Sequence, residues 1–258
     1  MGRNYRFLHA AVMLLALGVL TAASVPARAT ALDNTTRDSS ASAFCTSLSN
    51  RANAAQKRFN KLQTKVKSAW ESQDTRLNTL ASKFDEQIQA ARDKVDDQRA
   101  INFAKLEDRA STDDETAAVA TYETTVREAA NTRRSAVDAA RNTFRQAVKD
   151  AIKARRLNLS NQATGLSTAV SVAYTTAQSN CDGGVAVATV RSTLLESLQN
   201  SRQTFTELRK SDDNIQDQIA SLVKTRNATV KAADRAFVET VKDAATALKD
   251  AFGSNTEI

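Results

Sequence analysis

Residues 180–184 read Asn180-Cys181-Asp182-Gly183-Gly184, a turn sequence that holds one of only two cysteines in a chain of 258 residues with six glycines. The other cysteine, Cys45, stands 136 residues earlier. A cysteine beside a turn, so far from its sole partner, marks the place where a long stretch of chain comes back on itself.

The stretch between the cysteines has helical periodicity. From Phe44 the apolar positions run through Leu48, Ala52, Ala55, Phe59, Leu62, Val66, Trp70, Leu77, Leu80, Phe84, Ile88, Ala91 and Val95. Steps of three and four form one narrow stripe, the mark of a helix buried along one side, and the alternation by two that a strand requires is absent. At Ser111-Thr112-Asp113-Asp114-Glu115 the pattern restarts, with Thr112 and Glu115 spaced for a capping box and three acids suited to the positive end of a new helix. The second stripe passes through Val119, Tyr122, Val126, Val137, Phe144 and Val148 and continues more weakly to Ala173. A third follows the Asn180–Gly184 stop and runs from Val187 to Phe252, with Ser211-Asp212-Asp213-Asn214 as the only internal cap sequence; continuity through it is the favoured reading.

The arms also resemble one another. Residues 135–154 align without gaps to residues 228–247 with nine identities, setting Val137, Phe144 and Val148 opposite Val230, Phe237 and Val241. Such recurrence implies a common packing task. Heptads mix with 11-residue intervals, as in Val66, Leu77 and Ile88, which favours nearly straight packing over a left-handed supercoil.

A helix from about 44 to 109 and another from 113 to 180 give arms of about 67 residues, roughly 100 Å each at 1.5 Å per residue. Folded antiparallel about residue 111, they bring Cys45 and Cys181 together for an intrachain disulfide, with intermolecular bridges or free thiols as the alternatives. The remaining run, 184–252, is again of that length. The expected fold is therefore all-α: an elongated antiparallel three-helix bundle or coiled coil over residues 44–253, with an alanine-rich seam punctuated by Phe59, Trp70, Phe84, Phe144, Phe205 and Phe237. Residues 30–43 read as a flexible leader and 254–258 as a flexible tail.

The amino end bears on location. Arg3 and Arg6 precede an apolar run to Val25, and Ala27-Arg28-Ala29 is a small-residue cleavage signal, so residues 1–29 read as a signal peptide. The alternative is retention of residues 7–25 as a membrane anchor. Cleavage would remove Arg3, Arg6 and Arg28 and no acid, lowering the formal charge from +7 to +4. It would also take away His9, Pro26, Met1 and Met13, leaving no histidine, proline or methionine. Export would place the helices in the periplasm or outside the cell, where a disulfide persists.

Candidate chemistry is sparse. Without histidine there is no Ser-His-Asp catalyst and no common histidine metal site. Asp96-Asp97, Asp113-Asp114 and Asp212-Asp213 lack the ligand spacing of a calcium loop, and Gly183-Gly184 lacks the phosphate-loop pattern. No catalytic residue, metal site or cofactor is expected. Charge is the more informative feature. Arg51, Lys57, Arg58, Lys61, Lys65 and Lys67 form a zone with no acid between Asp38 and Glu71, suited to an anionic lipid headgroup or envelope polymer. A second zone holds Arg127, Arg133, Arg134, Arg141, Arg145, Lys149, Lys153, Arg155 and Arg156, interrupted by Glu128, Asp138 and Asp150. For both, a solvated helix surface is the competing reading. Acids from Glu107 to Glu123 make the opposite end of the rod negative. Export, modest charge and the lack of a reading module disfavour nucleic acid as a partner. Three sequons begin at Asn34, Asn158 and Asn227.

Two functional expectations follow. The first is an exported, noncatalytic scaffold, spacer or protein-interaction protein of the envelope or exterior, with a protein partner or self-association. The second is a reversible binding module for anionic lipid or envelope polymer.

Overall fold

The computed structural model describes residues 34–211 and 215–253 and consists among them of four helices: α1, Asn34–Glu107; α2, Asp113–Asp182; α3, Val187–Ser211; and α4, Ile215–Ala251. By contacts the chain divides into Met1–Ala43 and Phe44–Ile258. The second unit is an elongated, all-α, antiparallel three-helix bundle, with α1 and α2 as the first two arms and α3 and α4 sharing the third.

The ends of the helices follow from local chemistry. At the first turn, Asp108 N–H donates to Ala104 C=O at 2.9 Å and Ala110 N–H to Leu106 C=O at 3.2 Å, closing α1 just after Glu107. Thr112 then caps α2: its hydroxyl accepts from Glu115 N–H at 3.2 Å, while the Glu115 carboxylate accepts from the N–H groups of Ser111 and Thr112 at 2.7 and 3.1 Å. This is the reciprocal capping box that the sequence predicts. Those bonds, led by the one from Ser111 N–H, hold the Glu115 carboxyl below its ordinary range.

At the second turn, Gly183 N–H donates to Ser179 C=O at 2.9 Å and Val185 N–H to Asn180 C=O at 2.9 Å. Gly184 takes φ +74°, the left-handed conformation that an L side chain rarely adopts, and thereby stops α2. Helix α3 consequently begins at Val187, three residues after the expected start at 184.

Two expectations need adjustment or fall outside view. The flexible leader expected over 30–43 is helical from Asn34 onward. No glycine or proline lies between Asn34 and Cys45, and each residue joined to an existing helix gains a hydrogen bond without a new nucleation cost. Residues 1–33, with the expected signal peptide and anchor, the passage through Asp212–Asn214 and the tail 254–258 lie outside the described residues. No helix among the described residues is long and apolar enough to cross a membrane.

Burial is concentrated toward the two ends, with Ile215 at the start of α4 a buried side chain between them. At the Cys45–Cys181 end, Phe44, Leu48, Ala173, Ala177, Val190 and Leu194 form a core, with Cys45, Tyr174, Cys181, Val187 and Leu198 packed against it. Toward the first turn Phe103, Val119, Val126, Ala130 and Leu248 are buried, and Phe103 meets Tyr122 edge-on at 6.0 Å. Among the described residues no side chain of α1 between Leu48 and Phe103, and none of α2 between Ala130 and Ala173, is buried. Phe84, expected in the seam, is 48% exposed. The reason lies in how the middle is joined.

Candidate functional site

The paired cysteines set one end of the frame. Cys45 and Cys181 are disulfide-bonded with their Cα atoms 5.9 Å apart, which requires the two arms to be nearly equal in length. Beside them a cleft of about 200 Å³ opens between α2 and α3, lined by small and apolar residues including Ala173, Thr176, Ala177, Val190 and Leu194.

Between the ends, α1 and α2 are laced by arginine and aspartate. Arg156 grips both oxygens of Asp74 at 2.7 and 2.9 Å, and Arg145 both oxygens of Asp85 at 2.7 Å. Arg134 grips Asp96 in the same forked manner, with one bond at 2.7 Å. The three aspartates step forward by 11 residues along α1, and their arginines step back by 11 along α2. A reversed pair, Arg92 to Asp138, joins the lattice at 2.9 and 2.7 Å, and Arg141 adds a bond to Asp85 at 2.7 Å. Planar guanidinium forks suit this bidentate geometry.

The arginines affect the carboxyls they hold. The hydrogen bonds from Arg145 lower Asp85 to about 2, assisted by the charges of Arg145 and Arg141. Asp74, Asp96 and Asp138 are lowered chiefly by Arg156, Arg134 and Arg92 respectively. Guanidinium groups also cover aromatic faces: Arg156 lies 5.5 Å from the Trp70 ring centre and Arg226 4.7 Å from Phe144. Half-buried Trp70 thus sits at the seam under a cation. Between α2 and α4, Arg133 bonds Asp234 at 2.6 Å and lies 5.7 Å from the Phe237 ring centre.

This lacing separates the two basic zones. In the second, Arg133, Arg134, Arg141, Arg145 and Arg156 pair with acids of neighbouring helices, and Arg127 pairs with Glu123. In the first, Arg51, Lys57, Arg58, Lys61, Lys65 and Lys67 are all exposed. Arg51 donates to the Ser47 hydroxyl at 3.1 Å and lies over the Phe44 ring. The lysines and Arg58 take part in no ion pair among the described residues. Lys57, Lys61 and Lys65 follow one another by single turns of α1, whereas Lys67 lies about 200° round the helix from Lys65 and belongs to another side.

Sequence reasoning missed the lattice, although its signal is present: Asp74, Asp85 and Asp96 mirror Arg156, Arg145 and Arg134 about the first turn. Reading the arginines as one basic zone ignored the acids of the facing arm. Among the described residues no group of three or more His, Cys, Asp or Glu side chains is placed to hold a metal ion; Asp96 is engaged with Arg134 and Arg99, and Asp113 and Asp114 lie in the first turn of α2. Compared with protein-family models, curated proteins and solved structures, the chain matches none.

Proposed function

We propose that the protein is an exported, noncatalytic helical rod that acts as a scaffold, spacer or protein-interaction module of the cell envelope or exterior. The carrying observation is the mode of construction: three long arms joined at one end by Cys45–Cys181 and laced through the middle by forked Arg–Asp pairs at 11-residue steps. A fixed separation of roughly 100 Å between the ends of a 70-residue helix is what such a frame provides. The cleft beside the disulfide is lined by Ala, Val, Leu, Thr, Ser and Asn side chains with no ionisable group to activate a hydroxyl, which supports the noncatalytic reading. Crosslinking mass spectrometry of the protein in its native surroundings, without reductant, tests the proposal. It expects reproducible crosslinks from both ends of the rod to neighbouring chains; crosslinks confined within the monomer, or turnover by the pure protein that disappears on replacing a defined acidic pair, would refute it.

A second reading is favoured by one observation, the contrast between the paired arginines of α2 and the exposed bases of α1. On this reading α1 receives an anionic lipid or envelope polymer through Lys57, Arg58, Lys61 and Lys65. Binding that weakens with salt and is lost when these four are neutralised is the expected result; binding unchanged by the substitutions would sink it.

A further inference from the structure

The exposed bases of α1 belong to a longer pattern. Arg58, Arg76 and Lys94 recur every 18 residues; Leu62 and Leu80 share the interval, as do Lys65 and Lys83, with Ile101 next in that last register. Eighteen residues are five turns of an α-helix, about 27 Å, so successive copies present the same face. Each of the first two copies sets a leucine between a base four residues before it and a lysine three residues after it. Arg58, Lys65, Arg76, Lys83 and Lys94 are exposed. So are five large apolar side chains beside them: Leu62 at 40%, Leu80 at 53%, Phe84 at 48%, Val95 at 55% and Ile101 at 51%. At 100° per residue these ten residues occupy an arc of about 120° that contains none of the seven carboxylates between Arg58 and Ile101. Three of those carboxylates, on Asp74, Asp85 and Asp96, are bound to arginines of α2.

The geometry points to an anionic lipid bilayer as the occupant of this face, with α1 lying side-on in the headgroup plane. The bases would meet headgroup phosphates, and Leu62, Leu80, Phe84 and Ile101 would enter the boundary with the acyl chains. A second copy docked through the same face would set two basic ridges together. A protein partner requires a compact patch of about 800 Å² per side. Five separated side chains strung over roughly 60 Å of helix do not make one, whereas a flat anionic surface meets all of them at once. This inference deepens the anionic-partner reading of α1 and rests on it.

Vesicle co-sedimentation of the purified full chain tests it, using phosphatidylglycerol-containing and pure phosphatidylcholine vesicles at low and high salt, with soluble polyphosphate as the non-bilayer anion. Replacing Arg58, Lys65, Arg76 and Lys83 by Gln is expected to weaken partitioning into the anionic vesicles at least about tenfold. The same charge removed from the exposed row Lys224, Lys231, Lys242 and Lys249 of α4 is expected to cost less than about threefold. Leu62→Ser with Leu80→Ser and Phe84→Ser is expected to lower vesicle partitioning about tenfold while leaving polyphosphate binding unchanged. Leu80→Ser and Ile101→Ser made singly, with circular dichroism, distinguish lost contact from lost fold. Equal losses from the two lysine and arginine sets would overturn the inference in favour of diffuse charge. Polyphosphate bound as tightly as vesicles, with no effect of the serine substitutions, would overturn the bilayer and leave the anionic-partner reading standing. Failure to bind either anion would end both, and capture of an acidic helical protein by this face alone would replace the bilayer with that partner.

Discussion

The stapled end and the middle of the bundle achieve the same helix pairing by different physics. At the end, Leu48 and Val190 are each 1% exposed, and the core they share lies beside a covalent bond. In the middle, the Asp74, Asp85 and Asp96 side chains stay between 39% and 51% exposed while forked arginines hold them across the interface. Apolar burial and a disulfide are indifferent to salt to first order, whereas half-exposed ion pairs are screened by it and disappear when the carboxylates protonate. One molecule therefore combines a firm end with a middle whose cohesion depends on the solution.

Breaking the staple should have the largest effect. Cys45→Ser, or reduction, releases a closure of 136 residues and is expected to lower stability by roughly 3–5 kcal/mol on the chain-entropy account. Urea unfolding with and without reductant measures it, and hydrogen exchange should place the gain in opening near Phe44–Leu48 and Ala173–Leu194. Unchanged unfolding on reduction would mean that packing alone fixes the end. Next in size is the contrast between two leucines of the same stripe. Leu48→Ala should cost about 2–4 kcal/mol, since the side chain is fully enclosed, and Leu80→Ala no more than about 0.5 kcal/mol, since more than half of it already meets solvent. Equal costs would contradict the division of α1 into dry ends and a wet middle.

A smaller effect is expected at the first turn. Thr112→Ala removes the hydroxyl that accepts from Glu115 N–H and should cost about 1 kcal/mol, read by thermal unfolding. Glu115 would still receive the N–H groups of Ser111 and residue 112, so the turn is expected to persist with a frayed start to α2.

The residues differ in how plainly they declare these roles. Phe44, Leu48 and Val119 sit in stripes that helical period alone reveals, and Cys45 with Cys181 follows from nearly equal distances about the first turn; helix geometry has few degrees of freedom, so arm lengths translate directly into meeting points. Phe84 occupies an equally good stripe position and is nevertheless half exposed. The neighbouring Asp85 is held by Arg141 and Arg145 of α2, and apolar spacing alone carries no sign of that pairing. Charge zones read along one helix were legible only where the partner arm brings no counter-charge. Lys57, Arg58, Lys61 and Lys65 stay exposed, while Arg134, Arg141, Arg145 and Arg156 of α2, which look equally basic in sequence, are bound to acids of the first arm. The stretch before Phe44 carries no sustained periodicity, yet no glycine or proline between Asn34 and Cys45 interrupts the helix that begins at Asn34.

The smallest expected effect tests the middle directly, and pH gives its sign. Asp74, Asp85, Asp96 and Asp138 all have folded carboxyl values below the ordinary 3.8, Asp85 at about 2. A depressed folded value means that the unfolded chain takes up protons first as the solution is acidified. Their stabilisation is therefore complete above about pH 4 and is lost progressively as pH falls toward 2, the value at which Asp85 itself protonates. Hydrogen exchange over that window should show the amides of residues 74–96 and 134–156 losing protection before those of the disulfide-linked end. Arg134→Lys with Arg156→Lys keeps both charges but removes the forks, and is expected to speed exchange in the same segments about two- to fivefold near neutral pH. Added salt should erase most of the difference between that variant and the parent, because both would then lose what the half-exposed pairs contribute. If acid opened the two regions together, or if the lysine variant exchanged at the parental rate in low salt, the middle would have to be held by its half-buried apolar residues, and the lattice would be reduced to an ornament of the surface.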